Sequence, residues 1–492
     1  VDELFFVAQE PLRFEVAFEQ IREFATQDRP DLVKVWDPLK KGVVARADGF
    51  RKRLIDTEPV HLNAVLDFAA RAWRRPLANS EQSDLRGLYQ KLREAEITHE
   101  KSIRLTLARV LTSPAFLYRR EQQPEGAEAA PVSDLELATR LSYFLWSSIP
   151  DDKLRDAAES GRLTRSQRRP LKDSRDERGT SGLPLNDLQK QTRRMLADPR
   201  TRRLAIQFAC QWLHVRNFDQ NDEKNEKLYP EFAKLRGDMY EETVRFFEDM
   251  FRNDGSILDL LNADHTFLNE ELARHYGIKF QKIAGQDWQK VGGARAMGRG
   301  GILAQATFLA SQSGASRTSP ILRGNWVSET LLGEKLPKPP AGVPVLPEEV
   351  PTGLTARQLI EKHSSVPACA KCHARIDPYG FALEQFDVLG RMRPQKVDTK
   401  TTLLGGEKID GLTGLREYLL TERKDDIVRQ FCKKLLGFAL GREVQLSDEP
   451  LLDTMLNRLR EDDYRFHTAV ETIVLSPQFR RIRGAQSAGA SR

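Results

Sequence analysis

The residues with the clearest chemical potential stand together in Cys369-Ala-Lys-Cys372-His373. Two thiols one helical turn apart can each add to a vinyl group of haem. A histidine next to the second thiol then presents its imidazole to the iron, and C-x-x-C-H is the attachment pattern of c-type haem. Rival chemistry for these residues is weaker. A redox-active C-x-x-C pair belongs in a βαβ setting, and strand alternation is scarce here. A zinc site would have to recruit His363 to join Cys369, Cys372 and His373, because the chain has no second C-x-x-C. One covalently bound haem c is therefore the expected cofactor. Its attachment needs free thiols to meet haem outside the cytosol, which implies export to the periplasm or cell surface.

His373 is the expected proximal iron ligand. On the distal side, His363 stands just upstream, at the end of a helix expected over 355–362. The alternative is Met392, in Gly390-Arg-Met-Arg393. An open site or a ligand from elsewhere in the chain would also satisfy the motif. Arg317 and Arg323 flank Thr318-Ser-Pro320 and could hold haem propionates, since arginine makes bidentate bonds to carboxylates. The same segment also reads as a helix start, with Thr318 or Ser319 as cap and Pro320 in the first turn. Asp377, Glu384 and Asp387 read as a turn at Asp377-Pro378 plus ion pairs to Arg391 or Arg393, in preference to a catalytic carboxylate pair. Asp264, His265 and His275 are expected to be structural, and Cys210 and Cys432 to be buried free thiols. A nucleophile elbow, a phosphate loop and a dinucleotide fingerprint are all missing from the sequence.

The elements that must carry these residues are mainly helices. Ser133-Asp-Leu-Glu136 is a capping box ahead of an apolar helical period. A helix is expected from Tyr229-Pro230-Glu231 through Phe251, stopped by Asp254-Gly255. Further helices are expected over 301–310 and 321–332, and Thr401–Ile409 is the best strand candidate. A helical hairpin is expected twice. It runs from Arg75-Pro-Leu77 to Leu111-Thr-Ser-Pro-Ala-Phe116, and again from Arg442-Glu-Val444 to Val474-Leu-Ser-Pro-Gln-Phe479, the copies differing by about one helical turn. The fold expected is mainly α, with multi-helical domains and a small cytochrome c-like haem segment. Its parts are an N-terminal helical domain (1–125), a central helical domain (126–333) with a charged, mobile loop at 163–184, a Pro-rich linker and haem segment (334–420), and a C-terminal hairpin domain (421–492).

The whole chain of 492 residues has 77 Lys and Arg against 71 Asp and Glu, a net charge of +6. The signs are interleaved throughout, so the pI of about 9.0 does not indicate a nucleic-acid partner. Mean hydropathy is −0.53, and no apolar run of about 18 residues exists, which excludes a membrane span in this chain. Four cysteines exclude a disulfide-dense scaffold. The chain opens on Val1 without a charged-then-apolar leader, so either a leader has been removed or the chain is part of something longer.

The segment Cys369 to Arg391 resembles the haem-bearing part of the planctomycete-type multidomain cytochrome c family, exported proteins assembled from several domains of unknown function. The resemblance extends to Arg317-Thr-Ser-Pro-Ile-Leu-Arg-Gly-Asn-Trp326, to Thr266-Phe-Leu-Asn-Glu270 with His275-Tyr-Gly277, to Leu141-Ser-Tyr-Phe-Leu-Trp146, and to Gly437-Phe-Ala-Leu-Gly-Arg442 through Phe479. It covers roughly residues 60–483. Met392 stands where the family usually has an aromatic residue, and 163–184 looks like an insertion. The resemblance implies an exported haem-c protein passing electrons to a redox partner or terminal acceptor. The alternatives are an enzyme acting on an extracellular substrate such as a polysaccharide, and a surface or scaffold protein with structural haem.

Overall fold

Amphipathic helices dominate the computed structural model, which describes residues 12–165, 185–278, 287–337, 347, 353–365 and 367–484. It is 65% helical, and its strands are confined, among the described residues, to three two-stranded antiparallel pairs. Contacts divide the chain into two units, Val1–Arg120 and Glu121–Arg492. Most of the charged 163–184 stretch lies outside the described residues. Its first part is the end of a short helix, Arg162–Arg165, with Leu163 buried. The Pro-rich linker likewise lies mostly outside them.

In the first unit, the helix Val33–Ala72 packs against Asn79–Glu94 and His99–Leu111 around Val65, Leu66, Ala69, Trp73, Leu85 and Val110. These last two helices form the first hairpin copy, and the second unit contains the other in Glu449–Glu461 and Phe466–Leu475. The copies share an anchoring device. Arg75 forks onto Glu81 at 2.8 and 2.8 Å, while Glu81 accepts the Ala78 amide. Arg442 forks onto Asp448 at 2.7 and 3.0 Å, while Asp448 accepts the Gln445 amide. Each hairpin closes on a serine, Ser113 or Ser476, that caps a short Pro-initiated helix. Both copies run the same length from the anchoring Glu81 or Asp448 to the end of their first helix, at Glu94 and Glu461, and the difference of about one turn falls in the second helix, of 13 residues in the first copy and 10 in the second.

In the second unit, one continuous core runs from Val132 to Phe479. The helix Phe232–Arg252 crosses it and buries Leu235, Met239, Val244, Phe246, Phe247 and Phe251. Its Glu242 is buried as well. Glu242 takes hydrogen bonds from Thr266 and from the Tyr276 hydroxyl at 2.5 Å, and the Tyr276 hydroxyl in turn accepts the Ala306 amide at 2.9 Å. Burial pushes the Glu242 carboxyl up to about 7. Strands Ala129–Pro131 and Arg481–Arg483 pair and join the two ends of this unit.

Two expected helices are shorter than their apolar patterns. A 3-10 turn over Ile302–Ala304 ends at the extended Gln305 before the helix Ala306–Ser311. The helix Pro320–Trp326 passes into a π turn over Val327–Leu331. The Thr401–Ile409 stretch is a hairpin, Lys400–Thr402 paired with Lys408–Asp410. Among the described residues, no helix is long and apolar enough to cross a membrane.

Candidate functional site

Cys369, Cys372 and His373 lie on one helix, Pro367–Phe381. Proline opens it at a position where a missing amide costs nothing. Asp377-Pro378 does not end it. The helix continues through Pro378 to Phe381, although a proline there deprives the Ala374 carbonyl of its amide partner. Ala374 is exposed, so solvent can serve that carbonyl.

The helix is mounted on Pro320–Trp326 by direct backbone contact. A Cβ on Gly324 would stand 1.8 Å from the Ile376 carbonyl oxygen, and one on Gly380 would stand 1.9 Å from that of Pro320. Only glycine permits such an approach. Ser319 caps the Pro320 helix by accepting the Leu322 amide at 3.3 Å. The chain leaving the motif helix is then fixed by Arg323, whose side chain is fully buried. One guanidinium nitrogen donates to the Leu383 and Phe386 carbonyls at 3.0 and 3.1 Å, and the other donates to Asp387 O at 2.7 Å and Ser313 Oγ at 3.0 Å. Glu384 lies 3.4 Å from the same guanidinium and accepts the Thr318 hydroxyl at 2.8 Å. Arg323, expected as a propionate partner, is thus occupied by protein carbonyls. Burial lowers its pKa to about 10. Arg317 is half-buried and donates to the Pro347 carbonyl at 3.0 and 3.2 Å. Asp387 pairs with Arg391 at 2.7 Å.

The two thiols are free and half-buried. His373 is largely covered, and its Nδ1 lies 2.9 and 3.0 Å from the two carboxylate oxygens of Asp377, one turn on. A carboxylate only accepts, so Nδ1 is the donor of this pair and Nε2 is the nitrogen left free of it. Asp377 is 4% exposed. Burial raises its pKa, and the hydrogen bond from His373 pulls the other way. The sequence pattern concealed this pair because Asp-Pro reads as a turn. The i, i+4 spacing to His373 is the signal that could have found it.

His363 comes from the helix Ala356–Ser364, started by a Thr355–Gln358 capping box. Arg357 ties this helix down. It bonds the Lys400 carbonyl at 2.9 Å and stacks 4.6 Å from the centre of the Phe381 ring. The result brings the His363 and His373 rings to 5.2 Å, nearly perpendicular at 76°. Met392 has other neighbours. It is 43% exposed, bridges to Phe386, and receives a 3.6 Å hydrogen bond from Gln385 on its sulfur. Val366, expected to be extended ahead of Pro367, lies outside the described residues.

A cavity of about 560 Å³ opens beside the motif helix, with Arg375 and Tyr379 on one side and Lys335, Tyr418 and the Arg423–Glu334 pair on the other. Other candidates are structural. His275 Nε2 meets the Leu389 carbonyl at 2.9 Å, and His265 sits beside Asp249 at 3.5 Å. Cys210 and Cys432 are buried and free, both pushed up to about 12 by burial. Among the described residues, no three His, Cys, Asp or Glu side chains are grouped to hold a metal ion. The zinc reading of Cys369, Cys372, His373 and His363 therefore has no preformed geometry.

The donor set does fit a covalently held haem. It offers two free thiols on one helical face, an imidazole whose far nitrogen is anchored by a carboxylate, and a second imidazole beside it.

Four family models match the chain in succession. A protein of unknown function (DUF1595) matches at 63–121, DUF1592 at 132–175 and 184–278, DUF1588 (PSCyt3) at 299–396, and DUF1585 at 405–479. The DUF1588 match contains the motif helix, the Pro320 helix and both histidines. The DUF1592 match breaks inside the 163–184 stretch. No curated protein and no solved structure matches.

Proposed function

We propose that this chain, an array of four domains of the planctomycete-type cytochrome c proteins, is an exported haem-c protein that passes electrons. The observation that carries the reading is the setting of His373. Its Nδ1–H is held by Asp377, leaving Nε2 available, on the same helix as two free thiols. Cys369 and Cys372 would hold the group by adding each S–H across a vinyl double bond, sulfur to one carbon and hydrogen to the other, with no net redox change. Haem, when bound, supplies a one-electron ferric–ferrous couple. His373 would be the proximal ligand and His363 the distal one. Two imidazole nitrogens would be donors of the kind that suits electron transfer. Lys335 and Arg375, at the rim of the neighbouring cavity, replace Arg323 as the cations best able to meet acidic groups of the cofactor. The crossing at Gly324 and Gly380 keeps the helix in one position, which limits rearrangement when the iron changes charge.

The test is protein made with the c-type maturation system and run on a denaturing gel stained for haem. The stain should remain with the polypeptide and be lost in the Cys369→Ser/Cys372→Ser double variant. A wild-type band without stain overturns the reading.

A further inference from the structure

We propose that Asp377 is the positioning residue of this site, fixing His373 as its Nδ1–H tautomer and lending the ring the negative character that lowers the potential of an iron bound at Nε2. The potential-setting part rests on the haem reading above; the tautomer part stands on the geometry alone.

Both carboxylate oxygens face Nδ1 at nearly equal distance, 2.9 and 3.0 Å. The carboxylate has no lysine or arginine partner among the described residues; the titratable groups facing it are His373, His363 and Glu361. A desolvated carboxylate with only an imidazole to face is costly to the fold. It interacts strongly with that imidazole, because little solvent screens the pair. The mount is stiff on the same turn: the backbone on either side, at Ile376 and Gly380, lies against Gly324 and Pro320. The backbone that carries His373 and Asp377 is therefore held in place by the helix crossing. A carboxylate on the far nitrogen of a ligating histidine fixes the tautomer and raises ligand basicity. Greater basicity favours the ferric over the ferrous state. The site would thus suit a donor or acceptor working at low potential, and it matches a distal histidine better than a distal methionine.

The experiment uses the full chain, with and without haem maturation. In the matured protein, Asp377→Asn keeps the shape and an acceptor oxygen but removes the charge. Its midpoint potential should rise by about tenfold in the redox equilibrium, or about 59 mV for a one-electron couple. Asp377→Glu, which restores the charge, should recover part of that shift. An unchanged potential in Asp377→Asn overturns the potential-setting role, and an unchanged melting temperature beside a raised potential separates that role from a structural one. In the haem-free chain, NMR of isotopically labelled histidines should show His373 as Nδ1–H, with the preference lost in Asp377→Ala. A wild-type His373 in the Nε2–H form overturns the positioning role. Matured wild type lacking covalent haem overturns the haem reading and the potential-setting role with it, while the NMR result still decides the tautomer.

Discussion

Arg323 and Glu242 are buried charges whose partners are protein groups, and both answer to mutation in ways that separate structure from chemistry. Removing the Arg323 guanidinium leaves the carbonyls of Leu383, Phe386 and Asp387 unpaired in the interior. Arg323→Ala is expected to lower stability by about 3–5 kcal/mol, read as a lower urea midpoint. Arg323→Lys should recover only part of this, because an ammonium lacks the planar fork. Glu242 makes a different prediction. Its folded pKa of about 7 lies above the ordinary 4.5, so the folded state holds the proton more tightly than the unfolded one. Its contribution is fully present below pH 4.5 and is lost as pH rises through 7. Thermal unfolding of wild type should therefore fall over this window relative to Glu242→Gln, whose difference from wild type would otherwise be flat. Much at this scale was legible in the sequence. The cysteine motif is local, and Cys210 and Cys432 follow from helical apolar faces. Arg323 was not, because a buried arginine serving carbonyls has the same sequence signature as one serving a ligand.

Elements bring in contacts that no local pattern records. Capping boxes at Ser133 and Thr355 and the stop after Phe251 could be read directly, since each signal lies within a few residues of the boundary it sets. The crossing of the Pro320 and Pro367 helices could not. It depends on Gly324 and Gly380 meeting backbone far away in sequence, and a glycine inside a helical pattern reads only as a weak spot. For the same reason Asp377-Pro378 reads as a turn after the motif helix, whereas the helix, packed on the Pro320 helix, continues through Pro378. An added methyl at either glycine has nowhere to go. Gly324→Ala and Gly380→Ala are each expected to cost about 3 kcal/mol or more, at the top of the range for overpacking. Both should also reduce haem incorporation, by moving Cys369, Cys372 and His373 as a body. Wild-type stability in either variant would contradict the crossing. At the distal position, His363→Ala should convert a low-spin ferric spectrum to high-spin. A spectrum unaltered by it but altered by Met392→Ala would assign the ligand to Met392.

The whole molecule divides at Arg120 into a small unit with its own core around Trp73 and a large one organised on the Phe232–Arg252 helix. Separate cores imply separate cooperativity. Urea unfolding followed by circular dichroism should resolve two transitions, and one transition with coincident midpoints by fluorescence and dichroism would count against it. The mainly helical class was legible because amphipathic period is the strongest signal a sequence carries. The hairpin repeat was legible as well, and the matching Arg75–Glu81 and Arg442–Asp448 forks give it a physical basis. The central claim concerns the cofactor, and one spectrum addresses it most directly: the reduced pyridine haemochrome of the full chain made with the c-type maturation system, after acid extraction of loosely held pigment. The account predicts one haem per chain, retained through extraction, with the band position of two saturated vinyl groups, and a shift toward the single-thioether position in Cys372→Ser. Pigment that washes out, a band of unmodified vinyls, or no haem at all would contradict it.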